Sequence, residues 1–283
     1  MPGQGAVVLG MGSLGAERLN AQSDLDLIVI YDADGEEFSD GKKPLASRAY
    51  YAKLTQALIT ALSAPMPEGT LYEVDMRLRP SGKQGPVATS VQSFESYQME
   101  EAWTWEHLAL TRARPVAGSA DLADRVEAIR LKVLQAKGGG AEVLRDLAQM
   151  RARIFAAKAP DGDWEAKVGP GRLQDIELLA QSFALRAGVP ARKVEAQLRA
   201  GPRGGFVTRE EGEALASAYR LLWRLQAGGR LLSEKPLDMA AIGEGGRAFL
   251  LRETGLDDLD ALAARLSEVT TETAAIVDRA LEG

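Results

Sequence analysis

The sequence predicts an α+β chain: a mixed sheet with flanking helices, followed by an α-helical bundle. Three observations predict it. Residues 6–9 and 25–30 are short runs of Val, Ile and Leu, which suit strands. Residues 71–79 alternate strictly, with Tyr72, Val74, Met76 and Leu78 on one face and Glu73, Asp75, Arg77 and Arg79 on the other, as in a half-buried strand. Beyond Gly138-Gly139-Gly140 the period changes to helical, with Val143, Leu147, Met150 and Ile154 at i, i+4, i+7 and i+11. That glycine triplet is the clearest break, so domains are expected at 1–138 and 141–283.

Taken in order, the first strand leads into Gly10-Met11-Gly12-Ser13-Leu14-Gly15, a turn that glycine permits and that opens a short helix. Asn20-Ala21-Gln22-Ser23 turns the chain into the second strand, and the polar stretch 32–43 is a loop. Residues 44–63 are expected as a helix with Pro44 in its first turn. Residues 80–90 carry turn chemistry and are expected as a loop. Residues 93–110 are expected as one helix, with Trp103 and Trp105 in the core and His107 in a structural role. A short strand ending at 115–118 and a helix over 121–136 complete the first half. Helices are then expected around 143–154, 173–183, 215–225 and 259–276, joined by 201–205 and by a long link over 228–246.

Composition narrows the chemistry. Across 283 residues there is no cysteine, which excludes disulfides and thiolate metal sites, and one histidine, which excludes any site needing two. Lys and Arg number 34 against 40 Asp and Glu, a net charge of −6, without the basic excess of a non-specific nucleic-acid binder. No apolar run approaches the ~20 residues of a membrane span, and no basic-then-apolar leader opens the chain. The expectation is a cytoplasmic protein that engages neither membrane nor nucleic acid. Its first strand begins close to Met1, as expected of a chain cut from a longer one.

The chemistry concentrates at Ser23-Asp24-Leu25-Asp26. Alternation along a strand puts Asp24 and Asp26 on one face. At ~4 Å and an effective dielectric near 20, two such charges repel by roughly 4 kcal/mol. A cation between them reverses the sign, and paired carboxylates suit Mg²⁺ bound together with substrate phosphates. If residues 71–79 pair beside this strand, Asp75 becomes a third carboxylate and Arg77 and Arg79 face phosphate oxygens. The alternatives at this level are a polar strand end and an ordinary amphipathic strand. Lys167, before the glycine-rich turn Val168-Gly169-Pro170-Gly171, is either a triphosphate contact or a surface lysine ahead of a capped helix.

Gly-Ser, then Asp-x-Asp on a strand, then a third Asp on a neighbouring strand resembles the nucleotidyltransferase superfamily. Residues 23–28, 72–82, 101–107 and 167–177 further resemble glutamine synthetase adenylyltransferase. The resemblance covers most of the chain and fades after about residue 190. That family's full-length enzyme has two related halves, one attaching AMP to a tyrosine of glutamine synthetase and one removing it by phosphorolysis. Tyr72-Glu73-Val74-Asp75, Arg79-Pro80-Ser81-Gly82 and Glu101-Ala102-Trp103-Thr104-Trp105-Glu106-His107 resemble the adenylylating, C-terminal half. Two positions depart from the family: Ser13 stands where lysine is frequent, and Gly171-Arg172 where two glycines are usual.

The resemblance implies a nucleotidyltransferase-type sheet and metal-dependent transfer of AMP from ATP to a tyrosine hydroxyl, with pyrophosphate released. It implies Asp24, Asp26 and Asp75 as catalytic residues and ligands of Mg²⁺ or Mn²⁺, and Gly12, Ser13, Arg79 and Lys167 as nucleotide contacts. Glutamine synthetase is the implied protein substrate, and a PII-type nitrogen-signalling protein an implied partner through the full-length enzyme. Two other readings stay open: a superfamily enzyme acting on a small molecule or RNA, and a nucleotide-binding docking module without turnover.

Overall fold

The computed structural model describes residues 2–70, 72–140 and 142–282. They group into two compact units, one of Met1–Leu19, Ser23–Lys137 and Gly188–Lys193, the other of Asn20–Gln22, Gly138–Ala187 and Val194–Gly283.

The first unit is a mixed sheet with helices on both faces. Its strands are β1 (Gly5–Gly10), β2 (Leu25–Asp32), β3 (Val74–Asp75), β4 (Ala88–Ser90) and β5 (Arg114–Gly118). They run in the order β3-β2-β1-β5, with β4 also pairing β2. β1 lies antiparallel to β2 and β5, while β3 and β4 lie parallel to β2 at different points along it. The helices are α1 (Gly12–Gly15), α2 (Ser47–Leu62), α3 (Val91–Glu100), α4 (Thr104–Leu110) and α5 (Ala120–Lys137).

The alternation of β2 sorts its side chains between two cores. Leu27, Val29 and Tyr31 pack with Tyr51 of α2, Met76 and Ala88. Ile28 and Ile30 pack with Val7, Leu9, Phe94 of α3 and Val126 and Val133 of α5. The polar residues of β2 fall at the ends of the second row. Asp32, buried at one end, accepts from Arg125 of α5 and from the Asp34 N–H at 3.0 Å. Burial pushes its carboxyl upward, but these donors and Gln92 hold it below the usual range. At the other end lie Asp26 and, just before the strand, Asp24.

Four expectations are corrected here. The strand expected over 71–79 is ordered as β3 only at Val74–Asp75, because the chain turns after Asp75 toward Pro80; Leu71 lies outside the described residues. The 80–90 segment is not all loop: after a 3-10 turn at Gly82–Gln84 it adds β4 to β2. The helix over 93–110 is two helices, divided because the Glu106 carboxylate turns back to the Trp103 N–H at 3.0 Å and starts α4 afresh. That turn leaves Trp103 71% and Trp105 42% exposed rather than in the core, while His107 is buried with Nε2 at 2.9 Å from the Gln98 carbonyl.

The second unit is helical: α6 (Glu142–Ala157), α7 (Leu173–Arg186), α8 (Val194–Leu198), α9 (Ala200–Arg203), α10 (Arg209–Leu232), α11 (Gly243–Thr254) and α12 (Leu259–Glu282). α7 packs on α6, α8 and α12, and α10 packs on α11 and α12. Thr208 starts α10 with a capping box: its hydroxyl accepts from Glu211 N–H at 3.1 Å and Glu211 accepts from the Thr208 N–H at 2.8 Å. The link expected over 228–246 is shorter, since α10 continues through Gly228 and Gly229 and α11 begins at Gly243. These glycines act as packing residues: a Cβ on Gly228 would lie 2.7 Å from Leu250 of α11.

Candidate active site

The site is built where β1 hands the chain to β2. β1 ends at Gly10, and Met11 N–H donates to the Asp26 carbonyl at 2.8 Å, fixing the following turn against β2. Gly12 has φ +49, a conformation L side chains rarely adopt, and a Cβ there would lie 2.4 Å from Oδ2 of Asp26. Glycine therefore lets the Asp26 carboxylate lie directly against the turn. Ser13 follows in α1, half-buried, with its carbonyl accepting from Arg18 N–H at 2.8 Å. From β5, Arg114 reaches the far end of α1 and donates to the Leu14 carbonyl at 3.0 Å.

β3 brings the third carboxylate. In the parallel ladder Leu25 pairs with Val74 and Asp26 with Asp75, anchored by Leu25 N–H to the Glu73 carbonyl at 2.7 Å. Paired residues on neighbouring strands, ~4.8 Å apart, share a face, so Asp26 and Asp75 are side by side. Asp24 lies one alternation before Asp26 and is exposed.

Asp75 is held by Arg77. The Arg77 N–H donates to Asp75 Oδ1 at 2.7 Å and its Nε to Oδ2 at 2.6 Å. This guanidinium holds the Asp75 carboxyl below its usual range. Arg77 in turn is raised, first by Asp75 and then by the charges of Asp26 and Asp24. All three acids therefore act on one guanidinium.

Arg79 serves its own loop, donating to the carbonyls of Met76 at 2.7 Å, Lys83 at 3.3 Å and Gly85 at 3.4 Å. Lys167 belongs to the second unit, on the exposed lead into α7. Its N–H donates to Glu165 at 2.6 Å and its carbonyl accepts from Gln174 N–H at 3.0 Å. The following motif is structural in that unit. Gly171, at φ +68, lies so close to α12 that a Cβ would meet the Thr270 carbonyl at 1.9 Å. Arg172 folds back to the Glu165 carbonyl. Asp175, fully buried, accepts from Gly171 N–H at 2.8 Å and from Arg151 at 2.6 and 3.0 Å.

Among the described residues, no three Asp, Glu or His side chains already converge as a metal cluster. The donor chemistry nevertheless fits a hard divalent cation: two carboxylates in register, a third on the same face, and no soft ligand. In the sequence Arg77 and Arg79 read alike as phosphate contacts; that Arg77 is bonded to the Asp75 carboxylate is not visible there beyond its spacing of two residues from Asp75.

The family model for glutamate-ammonia ligase adenylyltransferase matches residues 2–129. The model for GlnD PII-uridylyltransferase matches residues 145–281. The chain is 49% identical over 217 residues to the bifunctional glutamine synthetase adenylyltransferase/adenylyl-removing enzyme of Rhizobium meliloti (strain 1021), covering 76% of this chain and 21% of that protein. With the enzyme of the same name from Brucella suis biovar 1 (strain 1330) it shares 41% identity, over 94% of this chain and 28% of that protein. With that of Rhodopseudomonas palustris (strain BisB5) the identity is 39%, over 99% of this chain and 29% of that protein. The chain thus spans between about a fifth and three tenths of the length of these curated relatives. Its sheet-and-helix architecture, the matching model across its first unit and these identities together place it: the chain belongs to the glutamate-ammonia ligase adenylyltransferase family.

Proposed function

We propose that this chain transfers AMP from ATP to a tyrosine hydroxyl of glutamine synthetase, releasing pyrophosphate, as the adenylylating half of a bifunctional enzyme. The observation that carries the reading is the Asp26–Asp75 pairing across β2 and β3, beside the turn of Gly12 and Ser13. The names of the relatives supply the acceptor.

In this reading the phenol oxygen attacks the α-phosphorus of ATP, a new O–P bond forms, and the bond to pyrophosphate breaks. Asp24, Asp26 and Asp75 hold Mg²⁺ or Mn²⁺. The cation, when bound, supplies positive charge against the triphosphate and the developing phenolate. Ser13 and the backbone N–H groups of α1 bind phosphate oxygens, and Gly12 gives the phosphate close access to that backbone. Arg77 carries its charge at the edge of the site, positioned to pass from Asp75 to a phosphate oxygen. Arg79 shapes the 76–85 loop and keeps its remaining N–H groups for the nucleotide. Asp75, kept ionised by Arg77, would act together with the cation it holds to help the phenol, whose ordinary pKa is near 10, release its proton to solvent. Most of the gain in rate is positioning and electrostatic stabilisation. The likeness of residues 145–281 to a PII-uridylyltransferase supports contact with a PII-type protein in the full-length enzyme.

Incubation with α-³²P ATP, Mg²⁺ and glutamine synthetase tests this. Label is expected on the synthetase, and not on a synthetase whose acceptor tyrosine is replaced by phenylalanine. Label confined to another acceptor, or label that persists on the phenylalanine variant, contradicts the acceptor assignment.

A further inference from the structure

The helical unit contains a cationic cleft that the transfer chemistry does not use. It lies among α10, α11 and α12 and is lined by Ser217, Arg220, Arg224, Thr254, Leu256 and Arg265, with Leu221. Its volume is about 200 Å³. Ser217, Arg220, Leu221 and Arg224 fall at i, i+3, i+4 and i+7 of α10, so they form one stripe along its wall. Arg265 comes from the facing α12.

The charge balance of the cleft is one-sided. Three guanidiniums line it and no carboxylate does. Arg265 shares its charge with Glu268 at 2.5 Å. Among the described residues, no hydrogen-bonding or ion-pair partner stands against Arg220 or Arg224. Asp258, the next acid but one after Leu256, is taken up in starting α12, accepting from Ala261 N–H at 2.7 Å. Like charges at i and i+4 of a helix repel, and a bound anion removes that repulsion. Guanidiniums in particular offer paired N–H groups that match the two oxygens of a carboxylate or phosphate. Ser217 adds a hydroxyl donor, and Leu221 and Leu256 supply apolar wall.

We propose that this cleft binds a small, multiply charged oxyanion, held chiefly by Arg220 and Arg224, at a site separate from the carboxylates of β2 and β3. An anion there bridges α10 to α12 and gives the helical unit an effector site. Two free guanidiniums call for at least two negative charges, and an open cleft of about 200 Å³ takes a compact ligand rather than a peptide strand. Phosphate esters and dicarboxylates both meet that chemistry.

Isothermal titration of the whole chain, without divalent metal, tests the proposal with inorganic pyrophosphate and, separately, succinate. Saturable binding of at least one is expected, weakening as salt is raised. The stronger of the two assigns the ligand to the phosphate or the carboxylate class. Affinity is expected to fall at least tenfold in R220Q/R224Q and to be unchanged in D24N/D26N. R220K/R224K, which keeps the charge but not the paired N–H geometry, is expected to fall between wild type and R220Q/R224Q. Circular dichroism of each variant verifies its helix content, and since both arginines are exposed on α10 the fold is expected to persist. Absence of saturable binding by either anion at millimolar concentration overturns the proposal. So does binding that survives R220Q/R224Q, or binding lost in D24N/D26N.

Discussion

At the scale of single residues, the site depends on one glycine and one arginine as much as on its acids. Gly12 gives Asp26 its place, because a Cβ would lie 2.4 Å from the carboxylate. Gly12→Ala also forces an L residue into a left-handed conformation, which costs roughly 1–2 kcal/mol. Transfer of label is expected to drop more than tenfold in this variant while circular dichroism shows the fold retained; full activity would contradict the placement of Asp26 against the turn. In the proposed site a divalent cation would compete with Arg77 for Asp75. Arg77→Ala is therefore expected to bind Mn²⁺ severalfold more tightly than wild type in the absence of nucleotide, as read by electron paramagnetic resonance. Unchanged or weaker Mn²⁺ binding would separate Asp75 from the metal. The acids themselves were legible in the sequence, since alternation alone puts Asp24 and Asp26 on one face. The hold of Arg77 on Asp75 was not, because it depends on how the chain turns immediately after β3. Arg79 has the same residue type and the same parity, yet spends three donors on loop carbonyls.

At the scale of elements, the long strongly patterned segments were readable and the short ones were not. α6, α7, α10 and α12 lie where apolar spacing places them. β3 and β4 are stabilised only by pairing with β2, a long-range contact that leaves no period in so short a segment. The division of α3 from α4 rests on the Glu106 side chain, which also accepts from Tyr97 at 2.8 Å. Just beyond it His107 is buried, and burial lowers its pKa below 6.5. The unfolded chain then binds a proton at higher pH than the folded chain does. Stability from this group is full above about pH 6.5 and is lost as pH falls through the lower folded value. Urea melts are expected to show that loss in wild type and not in His107→Gln, which retains a donor for the Gln98 carbonyl. An identical acid-side loss in both proteins would assign it to other groups.

At the scale of the whole molecule, the chain is two compact units matching two different family models. The glycine triplet flagged a change of character, but Gly188–Lys193, which groups with the first unit, carries no such flag. It is fixed by tertiary contacts: Arg130 donates to the Pro190 carbonyl at 3.0 Å, and Arg192 to the Ala113 carbonyl at 2.7 Å. In the helical unit, α6, α7 and α12 meet at Arg151, which holds buried Asp175 and reaches Asp278 at 2.6 Å. Removing one partner of a buried pair strands the other charge, so Arg151→Ala is expected to destabilise the helical unit by about 3–5 kcal/mol in chemical denaturation. A loss below about 1 kcal/mol would show that Asp175 finds other support.

The central claim is that Asp24, Asp26 and Asp75 form a metal–nucleotide site, and a thermal melt with ATP and Mg²⁺ together and apart tests it most directly. A ligand that binds only the folded state stabilises it by ~2.7 kcal/mol at a hundredfold excess over its dissociation constant. A raised melting temperature is expected that requires both ATP and Mg²⁺ and is absent in D24N/D26N and in D75N. A folded chain with no shift, or a shift of the same size in those variants, would contradict it.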